Sequence, residues 1–318
     1  MNQQTVVLAG AGTMGASLAQ VYAQAGYRTI LHNRSQKGLQ RARSLISLNQ
    51  ETMVRSKLLT QEVSAALQQR IEMTTDPDAY QEACLVVESI VEDLHAKHGF
   101  WSRISRLVPE EALLASNTSG LHLTDIAAAV HRPERFIGQH WLNPPHLLPL
   151  CELVCGRETS QETLARMKAL VEGRLGKKAV VVSDINGFLI NRIQFAVLRE
   201  ALYIVESGAA TAEDIDKVMK YGLGLRYAAL GPFGVADFGG LDTFDHISSY
   251  LFADLGRQQS GSALLHGLVE RGNLGVKSGA GFYDYSGGRA AEATRQRDAL
   301  YIELAKTLYF GKEERDEK

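Results

Sequence analysis

Hydrophobic and polar positions follow two rhythms in the first half of the chain. Between the first predicted strands, apolar residues recur at three- and four-residue intervals, which is typical of amphipathic helices, in "TMGASLAQVYAQAG" and "SQKGLQRARSLISLNQETMVRSKLL". Short apolar runs predict strands at "TVVLAG", "RTILH", "CLVVES", "ALLAS", "RFIGQH", "PLCELVCG" and "KAVVVS". The alternation of strand and helix predicts a mostly parallel sheet covered on both faces.

The pattern becomes helical after "KAVVVS". Apolar residues at helical spacing fill "FLINRIQFAVLREALYIVESG" and "TAEDIDKVMKYGLG", with Thr211 as the expected N-cap, and "EATRQRDALYIELAKTLYF" follows near the end. We therefore expect an α/β domain over residues 1–183 and an all-helical domain over residues 184–318.

Composition narrows the classes of function. Hydrophobic residues make up 45% of the 318 positions, charged residues make up 22%, and the formal net charge is −2. A nucleic-acid or membrane-surface partner needs a concentrated positive field, so we expect neither partner. No apolar run approaches the roughly 20 residues of a membrane span, and the opening residues do not resemble a signal peptide. We expect a cytoplasmic protein that acts on a small molecule.

The three cysteines, Cys84, Cys151 and Cys155, form an odd set in apolar surroundings. Free thiols in a reducing compartment are the expected state. Cys151 and Cys155 share a strand face, but no second cysteine pair completes a cage, so no metal is predicted.

The segment "GAGTMG" joins the first predicted strand to the first predicted helix. Gly10 permits a tight turn, Gly12 lets the backbone approach a pyrophosphate, and Gly15 lets helix and strand pack closely. The intervening Ala11, Thr13 and Met14 would complete a loop that faces phosphates with helix N-terminal N–H groups. The pattern predicts dinucleotide binding at the N-terminal α/β domain.

The end of the second predicted strand bears on the choice of nucleotide. A carboxylate there would bind the adenosine ribose hydroxyls and repel a 2′-phosphate. The chain has Asn33, Arg34 and Ser35 instead, which carry an amide, a planar cation and a hydroxyl. We expect NADP(H) to be favoured, with NAD(H) as the alternative because an arginine beside adenosine suits both.

His140 is the expected proton carrier. It ends the "FIGQH" run, at the sheet edge where open α/β folds hold their ligands. Glu152 follows on the next apolar strand, where burial would be costly without a partner. An imidazole accepts an alcohol proton near neutral pH, and a carboxylate orients and stabilises the imidazolium.

Seven motifs in order now identify a resemblance. They are "GAGTMG", "VVESIVEDLHAK", "ASNTSGL", "HWLNPP…LCELV", "NGFLINR", "GPFGVADFGGLDT" and "LGVKSGAGFYDY". Residues 1 to about 285 resemble the L-3-hydroxyacyl-CoA dehydrogenase family of fatty acid metabolism. The resemblance implies hydride transfer between a nicotinamide and the C3 hydroxyl or keto group of a 3-hydroxy acid or its CoA thioester. It also implies an N-terminal Rossmann-type, doubly wound domain and an all-helical C-terminal domain through which a homodimer forms.

The resemblance assigns roles to single residues. His140 matches the catalytic base and Glu152 matches its partner, while Ser119 and Asn191 match the groups that hold the C3 oxygen of the substrate. Positions near the cofactor are matched by Glu92, Lys97, Asn117, Asn143 and, from the helical domain, Lys277.

The chain departs from the family in ways that leave the substrate open. The proline pair in "NPPHLLPLCELV" resembles the branch with lambda-crystallin and L-gulonate dehydrogenase. Arg226 in "GLGLRYAALGPF" stands where the acyl-CoA enzymes usually have an uncharged residue. Its guanidinium could bind a free carboxylate in bidentate fashion, or it could form a surface or interdomain ion pair. "DFGGLDT" and "GFYDY" favour the acyl-CoA branch instead. A small free hydroxy acid is therefore the alternative substrate.

Two other functions remain as weaker alternatives. A crystallin-like structural role is disfavoured by the complete set of Ser119, His140, Glu152 and Asn191. A 6-phosphogluconate or hydroxyisobutyrate type of dehydrogenase would use a lysine base on a long central helix, and "FLINRIQFAVLREALYIV" contains no lysine.

Overall fold

The computed structural model describes residues 4–310 of the chain, and the side chains of residues 4–308. Within that range eight strands form a sheet in the order β3-β2-β1-β4-β5-β6-β7-β8. The strands are β1 (Thr5–Ala9), β2 (Arg28–His32), β3 (Ile71–Thr74), β4 (Ala83–Glu88), β5 (Leu113–Ser116), β6 (Phe136–Trp141), β7 (Leu150–Cys155) and β8 (Lys178–Ser183). The order from β3 to β6 is that of a Rossmann-type sheet.

The sheet confirms the expected architecture. All its strand pairs are parallel except β6 and β7, which run antiparallel. The seven predicted strands are present, and β3 is the one that the pattern missed. Its sequence "IEMT" is short and only partly buried, so it carries little periodic signal.

Twelve α-helices occur within the described residues. They are α1 (Thr13–Gln24), α2 (Gln36–Arg55), α3 (Gln61–Gln69), α4 (Leu94–Leu107), α5 (Leu123–Ala127), α6 (Gln161–Ala169), α7 (Ile190–Glu206), α8 (Ala212–Val218), α9 (Gly224–Gly239), α10 (Leu241–Asp254), α11 (Ala263–Glu270) and α12 (Arg289–Ala305). The predicted cap of α8 is confirmed, because the Thr211 hydroxyl accepts a hydrogen bond from the Asp214 N–H at 3.1 Å. No helix within residues 4–310 is long and apolar enough to cross a membrane.

The core lies on both faces of the sheet. Successive residues of a strand point to opposite faces, so Leu8 joins one buried cluster and Val7 joins another. Tyr22 of α1 packs in the first cluster and Trp101 of α4 in the second. Helices therefore cover both faces, as predicted for a parallel sheet.

The compact units differ from the predicted domains. One unit, called here the α/β unit, reaches Asn191 and resumes at Gln296, and the helical unit runs from Arg192 to Arg295. The predicted domain boundary between residues 183 and 184 remains a prediction, and the last helix, α12, is divided between the two compact units at Arg295 and Gln296. Positions 1–3 and 311–318 of the predicted ranges lie outside the described residues.

Long-range contacts explain where the compact units divide. The backbone N–H groups of Leu189 and Ile190 donate to Glu152 of β7, which keeps the start of α7 in the α/β unit. Near the end of α12, Ile302 packs with Met53 and Leu147. These pairings join residues far apart in sequence and leave no local pattern.

Candidate active site

The nucleotide loop has the features that a bound pyrophosphate requires. Gly10 has a φ of 104°, and a Cβ there would collide with the Ser89 carbonyl. A Cβ at Gly15 would overlap the Gly10 carbonyl oxygen, whereas the space beside Gly12 is open. No side chain caps α1, so its first N–H groups remain available to an anion. These residues therefore fit a dinucleotide.

A cavity of about 690 Å³ adjoins this loop. Its lining includes Gly10, Ala11 and Gly12, together with Asn33 and Arg34 after β2. His95 and Arg103 of α4 also line it, and sequence reasoning assigned neither to the cofactor. Arg103 gave no signal, because a cation at helical spacing usually marks a solvated face.

Asn33 and Ser35 organise the turn after β2. The Ala11 N–H donates to the Asn33 side-chain oxygen at 3.4 Å, and the Asn33 amide donates to the Ser35 carbonyl at 3.0 Å. The Ser35 hydroxyl oxygen caps α2 by accepting from the Gly38 N–H at 3.2 Å. Ser35 was expected to donate to the nucleotide, so its structural role as a cap was not foreseen. Arg41 of α2 lines a smaller cavity beside Gly12 and Asn33.

A buried charge network lies behind the "NTSG" segment. The Lys97 ammonium is fully buried and lies 2.6 Å from Glu88 and 3.3 Å from Glu92. Glu88 also accepts from the Ser116 hydroxyl at 2.6 Å. Lys97 was expected near the nicotinamide, and that role remains a prediction; in the structure its ammonium pairs with two carboxylates. The sequence did not predict a role for Glu88, because a single polar residue at the end of an apolar strand is common.

Glu92 supports the Ser119 turn. Its carboxylate accepts from the Thr118 hydroxyl at 2.5 Å and from the N–H groups of Ser119 and Gly120 at 2.8 and 3.0 Å. Burial acts to raise the pKa of Glu92, but these donors and the Lys97 ammonium hold that pKa below its ordinary value. Glu92 is therefore an anion that shapes the turn.

Asn117 and Asn143 lie in the loops after β5 and β6. The Asn117 side-chain oxygen accepts from the Trp141 N–H at 3.1 Å, and its amide donates to the Ser89 hydroxyl at 3.3 Å. Asn117 thus ties the end of β6 to the loop after β4. Asn143 is exposed in the segment that follows Trp141.

His140 and Glu152 form a directly paired couple. They face each other on β6 and β7, with 2.7 Å between His140 Nδ1 and Glu152 Oε2. The second carboxylate oxygen accepts from the N–H groups of Leu189 and Ile190, each at 2.9 Å. Burial alone would raise the pKa of Glu152, but these hydrogen bonds lower it, so the carboxylate stays ionised. His140 Nε2 has no hydrogen-bond partner among the described residues.

The segment before α7 aims those N–H groups at Glu152. Gly187 and Phe188 have φ values of 75° and 50°, which is the left-handed region and is unfavourable for phenylalanine. The buried Phe188 ring lies 5.4 Å from the His140 ring, measured between centroids. Backbone strain of this kind concentrates at functional sites, and its cost is about 1–3 kcal/mol. Sequence reasoning missed Phe188 because it reads as an ordinary helix residue.

The structure brings Ser119 and Asn191 together. The Asn191 amide donates to the backbone carbonyl of Ser119 at 2.8 Å. Asn191 directly follows Ile190, whose N–H donates to Glu152, so the two predicted substrate residues adjoin the segment that holds Glu152.

Arg226 and Lys277 belong to the helical unit. Both side chains are exposed, and neither forms an ion pair or hydrogen bond within the part of the chain that the structure describes. Their expected roles toward substrate and cofactor remain predictions.

The fold and the site define a dehydrogenase with a dinucleotide loop and a histidine–glutamate couple. The model of the 3-hydroxyacyl-CoA dehydrogenase NAD binding domain matches residues 5–185, and that of the C-terminal domain of the same family matches residues 187–285. The chain belongs to the 3-hydroxyacyl-CoA dehydrogenase family.

Individual relatives agree with this assignment. A 5-formyl-3-hydroxy-2-methylpyridine 4-carboxylate 5-dehydrogenase of Mesorhizobium japonicum is 32% identical over 96% of each chain. A probable 3-hydroxybutyryl-CoA dehydrogenase of Bacillus subtilis is 38% identical over 90% of this chain and 98% of its own. A crystal structure described as a 5-formyl-3-hydroxy-2-methylpyridine 4-carboxylic acid 5-dehydrogenase, an NAD⁺-dependent dismutase, superposes with a TM-score of 0.89. The sequence identity is 30%, and the superposition covers 96% of this chain and 98% of that one.

Proposed function

We propose that the chain interconverts a 3-hydroxyacyl compound and its 3-keto form, with His140 as the proton carrier. The observation that carries this proposal is the 2.7 Å contact between His140 and a Glu152 carboxylate that two backbone N–H groups hold in place. With Nδ1 donating to Glu152, Nε2 of a neutral ring is an acceptor open to a substrate hydroxyl.

In the oxidative direction the C3 hydroxyl proton passes to His140 Nε2 as the carbonyl forms. A bound nicotinamide supplies the acceptor for the hydride that leaves C3. Glu152 stabilises the imidazolium, and the Ser119 hydroxyl with the second N–H of the Asn191 amide would donate to the C3 oxygen. Reduction reverses each step.

NADP(H) is the proposed coenzyme. No acidic residue follows β2, and the cations Arg34, Arg41 and Arg103 line the cavities beside the turn. Such cations suit a 2′-phosphate. NAD(H) is the second candidate, because the matching family model is described as an NAD binding domain.

The substrate has two candidates. The family and the 3-hydroxybutyryl-CoA relatives favour a CoA thioester. Arg226, exposed and without an ion pair in the described residues, favours a free carboxylate, and one full-length relative is named for a pyridine carboxylate. A homodimer is proposed through the helical unit.

A paired assay tests these proposals. NADPH and NADH would each be oxidised with acetoacetyl-CoA, acetoacetate and a panel of other free keto acids. We expect kcat/KM to be at least about tenfold higher with NADPH, a difference of about 1.4 kcal/mol. A preference for NADH of that size contradicts the coenzyme proposal, turnover of CoA esters alone contradicts the carboxylate role of Arg226, and no turnover of any keto compound contradicts the proposed activity.

A further inference from the structure

A second cavity, of about 440 Å³, lies within the α/β unit. It shares no lining residue with the nucleotide cavity. One part of its lining is apolar and the other part is basic, and the size is in the range of small-molecule sites. The apolar residues are Val21, Ala25, Met53, Leu58 and Leu175, and the basic residues are His146, Arg174 and Lys177.

The charges around this cavity are unbalanced. None of the described residues that line it is Asp or Glu. Lys177 is almost completely buried, and burial lowers its pKa to about 8. Burial, together with the positive charges of Lys177 and Arg297, lowers the pKa of His146 to about 4. A buried ammonium without a neighbouring anion is unfavourable, and a bound anion would relieve that cost.

His146 places a second polar group in the lining of this cavity. Its Nδ1 is buried and has no hydrogen-bond partner among the described residues. A buried polar atom left without a partner is energetically unfavourable. Unsatisfied buried groups are uncommon in folded proteins, and a ligand that reaches one can satisfy it.

The cavity is connected to the catalytic couple through one segment. Lys177 Nζ donates to the carbonyls of Pro145 and Leu148 at 3.0 and 3.2 Å. Residues 142–149 form the connection between β6, which carries His140, and β7, which carries Glu152. A ligand at Lys177 would therefore act on the connection that sets the two catalytic strands.

We propose that this cavity binds a small carboxylate with an apolar chain. The carboxylate would accept from the remaining N–H of Lys177, with Arg174 nearby, and the chain would lie against Met53, Leu58 and Ala25. Occupancy would stabilise residues 142–149 and so modulate catalysis from outside the active site. The inference does not depend on which substrate the enzyme turns over.

The test measures hexanoate binding to the full chain, saturated with its preferred coenzyme, by isothermal titration calorimetry. We expect Lys177→Met to weaken hexanoate binding at least about tenfold, because a charge-assisted hydrogen bond is lost. Ala25→Phe, which fills the apolar side and leaves Lys177 in place, should weaken it similarly. Lys178→Met, a change at the exposed neighbouring lysine, is the matched control and should leave binding unchanged.

Several results would overturn the proposal. One is the absence of hexanoate binding to the parent protein, and another is equal binding of the uncharged 1-hexanol. A third is hexanoate binding that Ala25→Phe leaves intact and His140→Ala abolishes, because that pattern assigns the carboxylate to the active site. Lys177→Met also affects residues 142–149, so Ala25→Phe provides the independent variant.

Discussion

Glu152 does two things for one histidine. One carboxylate oxygen holds His140 Nδ1, and the other is fixed by the Leu189 and Ile190 N–H groups, so the acid cannot rotate away. Donation from Nδ1 to Glu152 is the arrangement of the neutral ring that leaves Nε2 as a base. Orientation and charge stabilisation come from the same side chain.

The first prediction concerns that base. His140→Ala should lower kcat by about 10²–10⁴-fold, the usual contribution of a positioned general base, and should leave coenzyme affinity nearly unchanged. Steady-state kinetics and coenzyme titration by fluorescence check this. His266→Ala, at an exposed histidine of the helical unit, serves as the control. A parent-like kcat in His140→Ala would refute the assignment.

The second prediction concerns coenzyme choice at Arg34. Arg34→Ala should reduce kcat/KM for NADPH by about 10–100-fold, because a charge-assisted contact with the 2′-phosphate disappears. The value for NADH should change little, since no phosphate is present there. Arg157→Ala, at an exposed arginine outside the nucleotide cavity, should change neither. Equal losses for both coenzymes would mean that Arg34 contacts a part common to both.

At the scale of elements, Lys97 connects helix α4 to the end of strand β4 and to the loop that follows it. Lys97 of α4 bonds Glu88 at the end of β4 and Glu92 in the following loop, and Glu92 supports the Ser119 turn. A buried ion pair stabilises only while both partners are present, because one partner alone leaves an unpaired charge.

Lys97→Met should therefore destabilise the α/β unit by about 3–5 kcal/mol, the cost of an uncompensated buried charge. Both tryptophans, Trp101 and Trp141, lie in this unit, so urea unfolding followed by their fluorescence reports on it. The double variant Glu88→Gln, Lys97→Met should recover most of the loss, and Lys168→Met, at an exposed position of α6, should be neutral. Full stability in Lys97→Met would contradict the role given to the pair.

At the scale of the whole molecule, the helical unit exposes large aromatic side chains. Tyr221, Phe233 and Phe238 are 79%, 87% and 83% exposed. Soluble monomers rarely present many such residues, which are typical of protein interfaces. The surface fits the homodimer proposed for this unit.

The double variant Phe233→Glu, Phe238→Glu should shift the protein from dimer to monomer, since buried charges at an apolar interface oppose association. Light scattering after size-exclusion chromatography measures the mass. Leu48→Glu, at an exposed leucine of the α/β unit, should leave the dimer intact. A monomeric parent protein would contradict the proposal.

Much of the fold was predictable because its signals are local. The "GAGTMG" loop, the seven apolar runs and the cap at Thr211 depend on backbone and side-chain preferences within a few residues. The pairing of His140 with Glu152 was also predicted, since both lie on adjacent buried strands and each needs a partner. Strand β3 and the capping role of Ser35 were not foreseen, because their environment depends on neighbours elsewhere.

The sequence by itself determined seven of the eight strands, the phosphate loop and the candidates for the reacting groups, since these follow from periodicity and the chemistry of single residues. Only the tertiary structure decided that Lys97 is buried against Glu88 and Glu92. It also decided that the Leu189 and Ile190 N–H groups donate to Glu152. The packing of Ile302 against Met53 is a third such outcome. Those outcomes join distant parts of the chain, and which groups lose water and find a partner is settled only when the chain packs.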